Sequence, residues 1–433
     1  MPWTDEDRGR RRHNVARDDQ RDPFERDRDR ILYSSAFRRL SGITQIVRAG
    51  EADVFHTREQ HTIKVAQVGR RLAQNCVKRS PDICTAVGLH PEVVEAACLA
   101  HDLGHPPFGH IGEDILNRLV QDNDDIDGFE GNAQSFRIVT KLAVRFEHVA
   151  GLDLTRATLA ACLKYPWLRD PQRSDRSRKW GAYTIDREDF EFAREGAIQG
   201  KTPEAELMDW ADDIAYSVHD LEDFHRCGVL PWQNILNESH HEELVRKTTN
   251  SWFNAPLDAG GRLRGALRNL EHLLMGLFED LLTRPYEGSR DQRRQLRSMT
   301  SVLIGRYINA TSVKSPSASG DDSIIIGKEE ADEVRILKQI TRDYIISNPS
   351  LAAQQKGHKR ILESLFKSIL EDSSGGPPPY LPRRLVYLWD YAGARSARFA
   401  ADCVASLTEA EAVGLHGRLQ GLSSGSVLDP IVR

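Results

Sequence analysis

Nitrogen and carboxylate donors crowd one short stretch of this 433-residue chain: His101 and Asp102 adjoin, and His105 and His110 follow closely. The residues before them, Val93 to Ala100, are apolar enough for a buried helix, which Gly104 and the Pro106-Pro107 pair would stop. An aspartate at the end of a core helix needs a compensating partner, because burying it unpaired is costly, and a cation would supply one. His61 offers another nitrogen from a buried stripe, although a lone histidine there is more often an ordinary core residue. Asp212, Tyr216 and Asp220 recur at i, i+4 and i+8, on nearly one helix face. Such spacing usually marks a solvated acidic face, but the small and apolar neighbours of Asp212 argue against that here. His61, His101, Asp102 and Asp212, drawn from three helices, could thus hold one divalent ion with positions open for water and substrate. A mixed nitrogen and oxygen set suits Mn, Fe, Co, Ni or Zn, and Mg less naturally.

The elements that must position these residues read as helices. From Thr57 to Arg79, the residues His61, Val65, Val68, Leu72 and Cys76 form one amphipathic stripe, and Leu207, Ala211, Ile214, Val218 and Leu221 do the same between Glu204 and Arg226. Further helices are predicted at 30–40, 110–120, 132–148, 155–164, 186–196, 262–283, 290–309, 328–347, 357–371 and 382–408. Ser323 to Ile326 suits a short strand. Pro171 to Lys179, Ser315 to Asp322 and Asp372 to Pro382 have loop composition.

Composition bounds the function classes. Hydrophobic residues make up 39% and charged residues 28%, and no apolar run reaches the roughly 18 residues of a membrane span. The arginine-rich N-terminus lacks an apolar signal segment, and the six cysteines are scattered without a CxxC pair. A cytoplasmic protein with no membrane partner and no thiolate metal site is therefore expected. A net charge of −5 argues against a dedicated nucleic-acid binder. The basic run Arg8 to His13 lies in a polar leader, 1–29, that reads as a mobile or peripherally docked tail. A contact from it to a neighbouring subunit or a nucleic acid stays open.

The pattern His61, His101-Asp102 and Asp212 resembles the HD superfamily of metal-dependent phosphohydrolases. The surrounding blocks are similar to the bacterial deoxyguanosinetriphosphate triphosphohydrolase family: Arg30 to Leu40, His61 to Arg70, His101 to His110, Gly128 to Ser135, Leu163 to Pro166 and Ala211 to Tyr216. The likeness fades after residue 260, where Asp390-Tyr391 and Arg398 to Ala400 still match and Ala397 replaces the family's aspartate. The resemblance implies an all-α fold, an HD-domain helical bundle over 30–260 with a helical C-terminal region at 261–433. It also implies hydrolysis of a deoxynucleoside triphosphate to the deoxynucleoside and tripolyphosphate. His61, His101, Asp102 and Asp212 would hold the divalent ion, whether Mn, Mg, Co, Zn, Ni or Fe. His105 and His110 would carry protons or bind phosphate oxygens, with Glu113 and Glu130 orienting them or the attacking water. Glu113 is equally well explained as an acid at a helix N-terminus. Arg58, Lys164, Tyr165 and Lys179 would contact phosphates, Gln45 and Asp220 the sugar 3′-hydroxyl, and Tyr216 would pack on the deoxyribose. The resemblance further implies a homo-oligomer, a hexamer being favoured, and activation by deoxynucleotides or single-stranded DNA.

Two other readings compete. The chain could be another HD-type nucleotide phosphohydrolase, acting on a monophosphate, a cyclic dinucleotide or an alarmone. It could instead be a non-catalytic regulator that binds single-stranded nucleic acid, for which salt-sensitive binding without hydrolysis would be diagnostic.

Overall fold

A computed structural model describes residues 4–422, apart from 14–19, 46–55, 124, 126, 197–199, 236, 253, 316–322, 347–348 and 394–395. Three helices form the centre: Arg58–Arg79, Pro91–Ala100 and Pro203–Arg226 pack on one another, and Pro23–Leu32 lies on the second of them. Small side chains make this approach possible. A Cβ on Gly69 would fall 2.5 Å from the Cys98 sulfur and 3.4 Å from Ala211, so all three central helices meet at that glycine. Local signals set where each begins. Thr57 and Gln60 form a reciprocal capping box just ahead of His61, and the Thr202 hydroxyl caps Ala205 with Pro203 as the first helical residue.

The second helix ends at the histidine–aspartate pair, and the chain turns tightly through Gly104. A side chain on Gly104 would overlap the Gly131 carbonyl and the Ser135 amide, so this turn rests directly on the backbone of the Gly131–Arg137 helix. Helices Ala259–Thr283, Arg290–Asn309 and Lys328–Thr341 pack beside the end of the central bundle. Pro349–Asp372 packs on Gly109–Gln121 and on the last two helices, Ser396–Ala405 and Glu409–Leu419. The protein is therefore all-α, with one antiparallel ribbon among the described residues, in which Thr311 pairs with Ile326 and Val313 with Ile324. No single described helix is long and apolar enough to cross a membrane. One bent pair, Pro81–Val87 with Pro91–Ala100, passes on length and composition together, but its second member is part of the buried core.

Several predicted elements need correction. The helix expected over 132–148 ends as a π turn at Ile138–Leu142. There Thr140 donates its hydroxyl to the Phe136 carbonyl, and the returning Leu152 amide takes the Val139 carbonyl, so the ladder has nothing left to extend. The span 382–408 is broken into Arg383–Val386, a 3-10 segment Tyr387–Tyr391, and Ser396–Ala405, with Gly393 left-handed between them. The spans 155–164 and 186–196 contract to Arg156–Ala161 and Arg187–Arg194, and 30–40 resolves into the end of Pro23–Leu32 and a short Ser35–Arg39 turn. Helices Pro81–Val87, Glu238–Ser251 and Glu409–Leu419 were not anticipated. The predicted strand is present as Ile324–Ile326, while the loop assigned to Ser315 to Asp322 lies almost wholly outside the described residues.

The described part of the leader is docked on the body. Its Asp5–Gly9 helix is anchored by Arg8, which pairs with the buried carboxylate of Glu204, and Arg11 reaches Asp27 at 2.7 Å with both side chains buried.

Candidate metal centre and active site

The donor atoms of His61, His101 and Asp212 lie within 4.8 Å of one another. His61 Nε2 is 3.2 Å and His101 Nε2 3.7 Å from Asp212 Oδ1. His101 is presented for coordination: its Nδ1–H donates to the Cys98 carbonyl at 2.6 Å, which leaves the lone pair on Nε2. That Nε2 is buried and has no hydrogen-bond partner. An orphaned imidazole nitrogen facing a second imidazole and a carboxylate is what a divalent ion would satisfy, so the donor set fits one. Asp102 stands beside this group, its Oδ2 3.4 Å from His101 Nε2; it accepts from Arg58 at 2.7 Å, and its Oδ1 lies 3.2 Å from His105 Nε2.

The electrostatics keep both aspartates ionised. Burial disfavours their charge, but Arg58 with His101 and His105 outweighs it at Asp102, and Lys164 with His61 and His101 outweighs it at Asp212. Each is held well below the usual carboxylate range. Burial lowers His61, and burial with the Arg58 charge pushes His105 down to about 4, so both imidazoles are neutral near pH 7.

A second cluster adjoins the first. Glu113 Oε2 is 3.2 Å from His110 Nδ1 and 3.6 Å from His105 Nδ1. Lys179 then joins Glu113 at 2.6 Å to Glu130 at 2.9 Å, and Glu130 caps the Gly131–Arg137 helix through the Asn132 and Ala133 amides. Glu113 is held low against burial by His110, His105 and Lys179, whereas burial raises Glu130. His110 is the outer member, with its side chain 73% exposed.

Both clusters open into one cavity of about 960 Å³. His61, His101, Asp102 and Asp212 line it, as do His105 and His110. So do Gln45, Arg58, Lys164, Tyr165, Lys179 and Tyr216. Glu113, Glu130 and Asp220 do not: the two glutamates stand behind the histidines and Lys179, and Asp220 is buried with one carboxylate oxygen unpartnered. Burial, and the charge of Asp223, push Asp220 well above the usual carboxylate range. The three cations expected to meet phosphates all hold carboxylates in this structure. Arg58 is on Asp102, Lys164 on Asp209 at 2.8 Å and Asp212 at 3.3 Å, and Lys179 on Glu113 and Glu130.

Sequence reasoning missed another part of the cavity lining. Arg335, Lys338 and Arg342, spaced along one face from the Lys328–Thr341 helix onward, line the same cavity together with Trp252. The Arg335 guanidinium lies 3.9 Å over the Trp252 ring, and Lys338 reaches Asp213 at 2.6 Å. The spacing of three cations on one amphipathic helix was the available signal.

A helical body in which a histidine, a histidine–aspartate pair and a later aspartate converge on one cavity defines an HD-domain protein, and residues 58–217 match the HD domain family. Residues 324–418 match the phosphohydrolase-associated domain. A deoxyguanosinetriphosphate triphosphohydrolase-like protein of Streptomyces coelicolor is 37% identical over 420 residues, covering 93% of each chain. Proteins of the same description from Bifidobacterium longum and Corynebacterium efficiens are 36% and 33% identical, over 92% and 94% of this chain and 83% and 93% of theirs. The chain belongs to this deoxyguanosinetriphosphate triphosphohydrolase-like family of HD-type phosphohydrolases. A solved phosphohydrolase from Bacteroides thetaiotaomicron aligns over 93% of this chain and 70% of its own, at 14% identity and a TM-score of 0.36, a likeness too slight to bear on the fold.

Proposed function

We propose that this protein hydrolyses deoxynucleoside triphosphates to the deoxynucleoside and tripolyphosphate in a reaction that requires a divalent metal. The observation that carries the reading is the adjacency of two clusters on one cavity: His61, His101 and Asp212 with Asp102, and His105, His110 and Glu113 beside them. The names of the relatives supply the substrate class.

A divalent ion held by His61, His101, Asp102 and Asp212 would polarise an α-phosphate oxygen and acidify a water. The chain's own residues do the rest. Neutral His105, with Nδ1 unpartnered and facing Glu113, can take a proton. His110 is oriented by Glu113 and faces solvent in the cavity, where it can pass a proton to or from the reacting oxygens. Lys179 holds Glu113 in place and Glu130 holds Lys179, a chain of support in which Glu130 itself touches no substrate. Arg58, Lys164, Arg335 and Lys338 line the cavity, where a group of about four negative charges would draw them from the carboxylates they hold. Tyr216 follows Asp212 by one turn, so its ring would lie against a sugar whose phosphates sit at the metal, and Gln45 offers an unpartnered carbonyl oxygen to a hydroxyl. A homo-oligomer and activation by nucleotides or single-stranded DNA complete the reading.

The test is hydrolysis of the four dNTPs and GTP with Mn or Co present and the anionic products separated, before and after chelation. Tripolyphosphate and deoxynucleoside from dNTPs, none from GTP, and loss of turnover on chelation are the expected results. Pyrophosphate or orthophosphate as product would assign a different HD phosphohydrolase activity. Salt-sensitive binding of single-stranded DNA with no turnover under any metal would favour a regulator.

A further inference from the structure

The start of the Glu409–Leu419 helix meets the histidine loop. Glu409, the first residue of the last helix, is buried, and its carboxylate joins two segments that are distant in sequence. Oε1 accepts the Thr44 amide at 2.8 Å and the Phe108 amide at 3.2 Å, and Oε2 accepts the Thr44 hydroxyl at 2.7 Å. Gln45 follows Thr44 in the chain, and Gly109 and His110 follow Phe108.

Phe108 is held in an uncommon conformation. Its φ of 66° is left-handed, which a bulky side chain adopts only when its surroundings impose it. The imposing contacts are the Glu409 carboxylate on its amide and His358, stacked 3.9 Å from its ring. Gly109 is left-handed as well and opens the helix that carries His110 and Glu113. The direction in which His110 leaves the loop is therefore set at Phe108.

Arg39 makes a parallel set of bonds, and its place in the Arg30 to Leu40 block had no explanation in the metal site. Its guanidinium donates to the Leu103 carbonyl at 2.7 Å, the His105 carbonyl at 2.8 Å and the Leu407 carbonyl at 3.2 Å. Gly42 closes the gap between the two sets, since a Cβ there would fall 2.8 Å from the Thr408 side chain. Residues 407–409 thus meet the chain on both sides of the histidine loop, through one cation and one carboxylate.

We infer that Glu409 is a positioning residue which, with Arg39, clasps the 103–108 loop and Thr44 so that His110 and Gln45 are held toward the cavity. The inference rests on the reading of that cavity as the substrate site. Of the candidate metal donors, His61, His101 and Asp212 lie outside the clasp, and Asp102 borders it.

The experiment compares Glu409→Gln, Glu409→Asp and Glu409→Ala in the full chain, reading kcat, KM, Mn affinity, thermal stability and hydrogen exchange. In Glu409→Gln the amide oxygen still accepts both backbone N–H groups and the amide nitrogen can donate to the Thr44 hydroxyl oxygen, so turnover stays near that of the unaltered protein. Glu409→Asp keeps the charge and the helix start but is too short to reach both segments. It and Glu409→Ala should lower kcat by roughly ten- to a hundredfold, the scale for a small misplacement of a reacting group. Mn affinity should stay unchanged, and exchange should quicken in peptides spanning 103–110 but not in those spanning 203–226. Unaltered kcat and exchange in Glu409→Asp would overturn the inference. So would equal impairment in all three variants that follows their melting temperatures. If the unaltered protein turned over no dNTP, the substrate reading would fail, while exchange and Mn affinity would still decide the clasp.

Discussion

Arg137 and Asp402, 265 residues apart in sequence, meet in a doubly hydrogen-bonded ion pair with both side chains sealed from solvent. The same guanidinium reaches Asp186 at 2.7 Å and the Tyr391 carbonyl at 2.7 Å. Burying an arginine among apolar helices is tolerable only because every side of it is answered. Burial pushes Asp186 up to about 6 even with Arg137 beside it.

Arg137→Leu leaves Asp402 and Asp186 buried without their cation. It should destabilise the fold by roughly 3–5 kcal/mol, the usual effect of breaking a buried pair from one side. Urea unfolding followed by circular dichroism measures this. A change below about 1 kcal/mol would show that water enters the site.

At the metal centre, His101→Ala and Asp102→Ala should abolish metal uptake and hydrolysis together. His110→Ala should keep its metal and lose roughly a hundredfold in kcat, the scale of one acid–base group. Metal content by elemental analysis, set beside turnover, separates the two classes. Metal loss in His110→Ala would place that histidine among the ligands.

Gly104→Ala should destabilise by about 3 kcal/mol or more, because the added methyl meets backbone on the Gly131–Arg137 helix and no flexible side chain can yield. The check is the denaturation midpoint of the purified variant.

Acid should weaken the fold through its buried neutral histidines. His225 accepts the Trp232 indole N–H on Nδ1 at 2.8 Å, and burial, helped by Arg226, pushes it down to about 4 from 6.5. In that window the unfolded chain binds the proton more readily. The contribution is complete above about pH 6.5 and is lost as pH falls toward 4, by about 3 kcal/mol at most. His225→Gln keeps an acceptor for Trp232 and cannot titrate, so stability measured between pH 7 and 4.5 should fall less steeply than in the parent. An unchanged slope would assign the acid sensitivity elsewhere.

What could be read beforehand follows from the range of the forces involved. The convergence of His61, His101 and Asp212 was legible because His61 and Asp212 lie on helices with local apolar stripes and His101 stands at the end of a short apolar one. The apolar run before His101 announced its own end through Gly104 and two prolines. The partners of Lys179 were not legible: Glu113 lies 66 residues before it and Glu130 lies 49 before it, and nothing local joins them. The π turn at Ile138 depended on Leu152 returning to take a carbonyl, a tertiary event. The burial of Arg8 and Arg11 was hidden by composition, since an arginine-rich leader looks solvated until Glu204 and Asp27 are found beneath it.

The cavity has two walls from separate stretches of the chain, the one with the candidate metal donors within 58–217 and the Arg335, Lys338 and Arg342 one within 324–418. Mutations in the second wall leave every metal donor untouched. On the proposed function, natural variation there would retune which molecule is accepted while the hydrolytic step is inherited unchanged, and paralogues should diverge first along the face of the Lys328–Thr341 helix.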